Sequence, residues 1–344
     1  MNTETTTTDS KALSPTVIIL VPLAMTVFGL LVSLVIIELL FRFATPAPPA
    51  KWNDRPKSYF ISESSPTLQD YSHTAKKATG TYRIAAIGDS FTFAPYMQFD
   101  DAFPKRLERW LNLNDTQPKV EVINYGVPAY STSHEVPIVS KSIQEGSDLI
   151  LMQITLNDPE IKPYTPQQLF QEKNKFGNLE LEGTIYKYWR SLAFVKTRLH
   201  NRETRRNYKK KFFDLFEKPD TWANFKDSWT KAVQIKNEAH IPMVAVIFPL
   251  FGYPVDNDYP FWPLHEKVKN LLDSLGVPNL DVTEIYRDIP LERLQVLPGE
   301  DFHPNEIAHR MAAEAMYRWM AENKIIPDVI VAKSQSPKRI GLKK

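Results

Sequence analysis

Ser90 follows Gly88-Asp89, and His303 lies in Glu300-Asp301-Phe302-His303-Pro304-Asn305, with Asn124-Tyr125-Gly126 and Asn157-Asp158 between them. Each motif comes directly after an apolar run or in the last long loop. These residue types suit acyl transfer. A hydroxyl attacks a carbonyl only when a neighbouring base takes its proton, and imidazole titrates near neutrality. A carboxylate fixes the imidazole tautomer and stabilises its charged form. The oxyanion that develops needs donors already in place, and losing one costs about 2.7–4 kcal/mol. The backbone amides of Ser90 and Gly126 and the side-chain amide of Asn157 are the candidates for that hole. Asp89 and Asp158 are read as supporting residues, Asp89 through bonds to amides around the serine turn. Each residue also has an ordinary reading: Ser90 as a helix cap, Asn157 as a turn residue, Asn305 or Asp301 as the cap of the last helix. Their joint order along the chain favours the catalytic one.

The elements that must position these residues follow from periodicity. Residues 82–87 form a short β-favouring run that ends at Gly88, and 120–124 and 148–154 form two more. The third run is nearly continuous in apolar character, as a buried parallel strand requires. Between them, 103–113 has helical spacing, with Phe103, Leu107, Trp110 and Leu111 on one side, and 135–144 is a helix closed by Gly146. The rhythm breaks over about 159–238, which is read as a helical insertion over the sheet. Its helices are expected near 186–201 and 222–238, with Tyr186, Tyr188, Trp189, Trp222, Phe225 and Trp229 as its own core. Strands at 243–248 and 279–282 and helices at 262–275 and 306–322 complete the alternation. Such a pattern predicts an α/β fold with a parallel sheet covered on both faces. Sites in these sheets lie beyond the carboxyl ends of the strands, where the polar motifs fall.

Taken together, the motifs resemble a known family. Gly88-Asp89-Ser90-Phe91-Thr92-Phe93 is similar to the first block of the GDSL/SGNH hydrolases, and Asn124-Tyr125-Gly126-Val127-Pro128 to the second. Asn157-Asp158 resembles the third block and Asp301-Phe302-His303-Pro304-Asn305 the last. The resemblance implies a flavodoxin-like three-layer α/β/α sandwich over residues 81–325 that hydrolyses or transfers acyl groups without a cofactor. It implies Ser90 as nucleophile, His303 as base, and Ser90, Gly126 and Asn157 as the oxyanion hole. Thr155 stands where the third block usually carries glycine. The family commonly places its acid three residues before the histidine, which is Glu300 here, whereas Asp301 lies two before it. Asp301 is favoured and Glu300 kept as the alternative. Transfer of the acyl group to a sugar hydroxyl, and a non-catalytic binding module on the same scaffold, stand as the other readings.

Residues 17–37 carry no charged side chain, and 21 residues of helix cover about 30 Å, the thickness of a bilayer hydrocarbon core. The expected organisation is a tail at 1–16, a transmembrane anchor at 17–40, a Pro-rich stalk at 41–80, the hydrolase domain and a tail at 326–344. Lys11 precedes the span, whereas Arg42, Lys51, Arg55 and Lys57 follow it, a count that places the large domain in the cytoplasm. Resemblance to tethered envelope esterases acting on acylated glycans or lipids implies instead an extracytoplasmic domain. The net charge of +2 calls for no nucleic-acid partner, and the basic run at 202–211 reads as a solvated helix face. The expected partners are an acyl ester substrate, small-molecule, glycan or lipid, and the membrane. The absence of cysteine excludes disulfides, thiolate catalysis and cysteine-ligated metal. The seven histidines show no HExxH-type spacing, so no metal is expected. His134 is read as a surface residue.

Overall fold

The structure, a computed structural model, describes residues 15–44, 70–113, 118–161, 189–298 and 301–331. The chain divides into two units, residues 1–51 with 179–200, and 52–178 with 201–344. In the first, helix α1 spans Pro15–Ala44. Over Leu20–Ala44 it is long and apolar enough to cross a membrane. Its large side chains, Leu23, Met25 and Phe28 among them, are exposed. Thr26 and Ser33 donate their hydroxyls to the carbonyls of Pro22 and Gly29, both at 2.8 Å, so the helix satisfies them internally.

In the second unit the apolar runs become a parallel sheet. Strands β1 (Thr81–Gly88), β2 (Lys119–Gly126), β3 (Leu149–Ile154), β4 (Met243–Ile247) and β5 (Asn279–Asp281) pair in the order β2-β1-β3-β4-β5. This is the flavodoxin-like doubly wound order, whose switch point lies between β1 and β3. Parallel neighbours need crossover helices, and the crossovers are right-handed. That rule puts α3 (Phe103–Leu111) on one face and α4 (Thr132–Gln144) on the other. The short turn α2 (Ser90–Phe93) sits at the end of β1. Helix α5 (Arg190–Glu217) begins in the first unit and continues into the second, where α6 (Pro219–Glu238), α7 (Trp262–Ser274), α8 (Glu306–Glu322) and α9 (Asp328–Val331) follow. On the α3 face, Trp110 stacks on Tyr317 of α8 with ring centroids 5.6 Å apart.

Four departures from the expected layout have physical causes. Helix α6 is no cap: Phe225, Trp229 and Ala232 are buried in the main core, and α6 packs on α4 as the crossover between β3 and β4. The expected stalk is stitched to the domain by residue 70. Asp70 is buried, accepts the Asn124 N–H of edge strand β2 at 2.8 Å and pairs with Lys105 at 2.8 Å, which blunts that edge. At the other end Ile326 and Ile330 are buried, so the expected C-terminal tail begins as core. An antiparallel hairpin, β6 (Gln295–Leu297) with β7 (Asp301–Pro304), went unpredicted because its strands are only three and four residues long. Tyr186, Tyr188 and residues 45–69 lie outside the described residues.

Trp229 is fully buried, and truncating such a side chain costs about 3–5 kcal/mol. Trp229→Ala is expected to lower the unfolding free energy by that amount in urea titration. A loss of less than about 1 kcal/mol, the scale of a surface change, would contradict the place of α6 in the core.

Candidate active site

Ser90 sits where β1 turns into α2, and the surrounding polar groups hold that turn in one shape. Asp89 is the N-cap: its buried carboxylate accepts the Phe91 N–H at 2.8 Å through Oδ1. Its Oδ2 accepts the Thr155 hydroxyl at 2.8 Å and the Asn157 amide at 3.0 Å, tying the turn to the end of β3. Gln153 of β3 accepts the Thr92 hydroxyl at 2.8 Å and the Asp89 N–H at 3.3 Å. From β2, the Asn124 amide donates to the Thr92 carbonyl at 2.9 Å. A Cβ on Gly88 would lie 2.3 Å from Thr92 Oγ1 and 2.4 Å from Gln153 Oε1, so only glycine lets the turn approach β3 this closely.

His303 reaches Ser90 from the β6–β7 hairpin, 213 residues away in sequence, with Nε2 at 2.8 Å from Ser90 Oγ. Its Nδ1 lies 2.5 Å from Asp301 Oδ1, which also accepts the His303 backbone N–H at 3.0 Å. An ionised carboxylate only accepts, so Nδ1 carries the ring proton and Nε2 is left to accept the serine hydroxyl. Asp301 is buried, whereas the His303 side chain is partly exposed at 29%. The His303 ring thus opens to solvent and the Asp301 carboxylate does not. Asn305 caps α8 through the N–H groups of Ile307 and Ala308, at 3.0 and 3.1 Å, and donates to the Arg293 and Gln295 carbonyls at 3.0 and 3.2 Å. The motif is therefore pinned on both sides of the histidine. Glu300 lies outside the described residues.

The expected oxyanion donors are placed unequally. The Ser90 N–H opens the first turn of α2, where N–H groups have no partner within the helix. Asn157 gives one of its two amide protons to Asp89. Gly126 departs from expectation: its N–H donates to Asn124 Oδ1 at 2.9 Å. A Cβ there would lie 2.2 Å from the Phe93 backbone nitrogen. Gly126 lets β2 approach the serine turn, and its amide is occupied. Three residues past Gly126, Ala129 has φ 65, a left-handed conformation rare for alanine. Strain of this kind gathers at functional loops, and alanine offers no side-chain chemistry to flag it in a sequence.

Thr155, Gln153, Asn124 and Glu135 are residues that motif reading passed over or undervalued. Thr155 bridges Asp89 and lies against Asn157 Oδ1. Glu135 of α4 is fully buried, and neither carboxylate oxygen finds a hydrogen-bond partner among the described residues. Burial raises its pKa well above the carboxylate range, and the charges of Asp158 and Asp89 raise it further. Asp158, also buried and also raised, accepts the Thr132 hydroxyl at 2.9 Å and the Thr155 N–H at 3.4 Å. Asp89 and Asp158 have donors and Glu135 has none, so Glu135 holds the proton. Tyr208 of α5 packs edge-on against Phe302 at 5.7 Å, and burial and the Asp301 charge raise its phenol pKa. His134 bonds Ser131 Oγ at 2.8 Å and is half-buried, and His265 is buried beside Asp281 at 2.9 Å. Among the described residues no group of three or more His, Asp or Glu is arranged to hold a metal ion.

No family model and no curated protein matches the chain. Solved structures similar to it include an acetylxylan esterase from Geobacillus stearothermophilus, at 11% identity and a TM-score of 0.43, covering 69% of this chain and 93% of that one. The psychrotrophic esterase EstA from a Pseudoalteromonas species is 12% identical, TM-score 0.41, with 71% and 99% covered. The lipase/acylhydrolase from Enterococcus faecalis is 15% identical, TM-score 0.38, with 70% and 95% covered. At such values the chemistry has to be read from this chain's own residues.

The buried carboxyl cluster makes stability depend on pH. A carboxyl whose pKa is raised on folding stabilises fully only below its unfolded pKa, and that contribution is lost as pH rises toward the folded value. Glu135→Gln removes the titration while keeping the shape. The variant is expected to match wild type in melting temperature near pH 4.5 and to exceed it progressively toward pH 8. Parallel melting curves for the two proteins across that range would contradict a protonated Glu135.

Proposed function

We propose that this chain is a membrane-anchored serine esterase of the GDSL/SGNH kind that hydrolyses an acyl ester, borne on a small molecule, glycan or lipid, through Ser90, His303 and Asp301. The observation that carries the reading is the unbroken line from Asp301 Oδ1 to His303 Nδ1 at 2.5 Å and from His303 Nε2 to Ser90 Oγ at 2.8 Å. The line stands beside the switch point of the sheet. Helix α1 supplies the anchor in this reading.

Ser90 Oγ attacks the ester carbonyl while His303 Nε2 takes its proton, and Asp301 stabilises the imidazolium that results. The tetrahedral oxygen turns toward the Ser90 N–H and the remaining amide proton of Asn157, with Asn157 held in place by Asp89. His303 then gives its proton to the leaving alkoxide, and the alcohol departs from an acyl-Ser90. Water enters, His303 takes its proton, and the acid leaves as Ser90 is regenerated. The steps call for no cofactor. N–H donors held in place before the reaction need no reorganisation as the oxyanion forms. That is the reason for fixing Asn157 through a buried carboxylate instead of leaving it on a free loop.

The test is steady-state hydrolysis of p-nitrophenyl acetate by the purified full chain. Ser90→Ala and His303→Ala are expected to lose about 10⁴–10⁶ in kcat, and Asp301→Asn about 10⁴. Glu300→Gln is expected to stay within about tenfold of wild type, since it breaks no step of the route. If Glu300→Gln falls as far as Asp301→Asn, the acid has been assigned wrongly. If a well-folded wild type turns over no acyl ester, the esterase reading fails.

A further inference from the structure

The first turns of α5 carry a feature that ester chemistry does not use. Leu192, Val195 and Leu199 are 41%, 51% and 62% exposed. They are spaced three and four residues apart, which puts them on one face of the helix. Another face meets α1. Glu38 of α1 accepts the backbone N–H groups of Arg190 and Ser191 at 2.8 and 2.9 Å and the Ser191 hydroxyl at 2.8 Å. The carboxylate thus closes the N-terminus of α5, where its charge is favoured. One turn further along both helices, Phe41 meets Phe194 with ring centroids 5.1 Å apart.

These two contacts advance in step, from 38 to 41 on α1 and from 191 to 194 on α5. Over this stretch the helices therefore run side by side in the same direction. At 1.5 Å per residue, Leu192, Val195 and Leu199 stand about 1.5, 6 and 12 Å past the level of Ser191 and Glu38. The charge-free part of α1 ends at Ile37. A hydrocarbon core of about 30 Å filled by that part leaves Leu192 and Val195 in the headgroup zone, which adds roughly 5–8 Å on each side, and Leu199 just past it. Arg190, Lys196 and Arg198 share the segment, and Arg42, bonded to Glu38 at 3.1 Å, faces it from α1. An apolar stripe beside basic residues at the end of a span is the composition of a helix that lies against anionic lipid.

We infer that residues 190–199 form an interfacial membrane element, whose apolar stripe seats Leu192 and Val195 in the headgroup–acyl boundary of a bilayer carrying anionic lipid and rises out of it at Leu199. Glu38 joins it to the end of the anchor. The inference rests on reading α1 as a membrane span, and the experiment separates the two.

The chain has no cysteine, so single-cysteine variants of the full-length protein take one fluorophore each. Phe28→Cys reports on the middle of α1, Val195→Cys and Leu199→Cys on the stripe, and Ala193→Cys on the other side of α5. The labelled proteins are placed in vesicles of phosphatidylcholine and phosphatidylglycerol, with a nitroxide at a shallow or a deep acyl position as quencher. The expected result is deep quenching at 28, and shallow quenching at 195 about threefold stronger than at 193, with 199 weaker than 195, as a stripe rising out of the interface requires. Deep quenching at 28 with equal, weak quenching at 193 and 195 would overturn the inference and leave the anchor standing. Absence of quenching at 28 would overturn both. Protection of 195 from lipid and aqueous quenchers alike, with crosslinking between copies, would assign the stripe to a second copy and overturn the lipid assignment.

Discussion

A carboxylate taken out of water costs several kcal/mol unless hydrogen bonds replace its hydration. Asp89 is buried directly before Ser90, and the bonds that replace its hydration fix the rest of the site. One oxygen holds the Phe91 N–H and so shapes the turn that presents Ser90. The other holds Thr155 and Asn157, so the end of β3 cannot move independently of the end of β1. Gly88 and Gly126 permit the close approach that these bonds need, and Gln153 and Asn124 close the same turn from either side. A site of the proposed kind gains from this support because donors misplaced by an ångström lose most of their effect. The burden appears at Glu135 and Asp158, two further buried carboxyls that crowd Asp89, and Glu135 keeps its proton.

Much of the sheet was legible because its physics is local. Continuous apolar runs with a polar motif at each end mark buried parallel strands, and the five observed strands fall on the expected segments within a few residues. Helix α6 was misread because Trp222, Phe225 and Trp229 sit among lysines and aspartates with no turn signal to separate a crossover from an insertion. Only packing on α4 distinguishes the two. Glu135 was invisible for a related reason. A glutamate in the first turn of a helix normally reads as a favourable dipole contact in water, and its complete burial is decided by the neighbouring elements. Gly126 shows the reverse error. The motif suggested a donor, but the space around its Cα and the Asn124 side chain give it another task. The choice of Asp301 turns on a hairpin whose two short strands carry no periodicity of their own.

The apolar helix and the start of α5 make a second, separate case of a charge finding partners. Glu38 closes a run of helix without charge, and three donors from Arg190 and Ser191 receive its carboxylate. A carboxylate at the end of an apolar helix is tolerable because a helix N-terminus and Arg42 meet it there. The same placement brings Leu192 and Val195 to the level at which α1 ceases to be apolar. The sequence places these residues in an expected helix of the insertion without marking the stripe, because it covers only about two turns of a much longer helix.

The central claim is that Ser90 is an activated nucleophile, and covalent capture tests it most directly. The full-length chain is treated with a fluorophosphonate, and the adduct is mapped by peptide mass spectrometry beside His303→Ala and Asp301→Asn. The account predicts one adduct, on Ser90, formed rapidly in wild type, slowly in Asp301→Asn and not measurably in His303→Ala. A well-folded wild type that stays unlabelled, or labels at another residue, would contradict it.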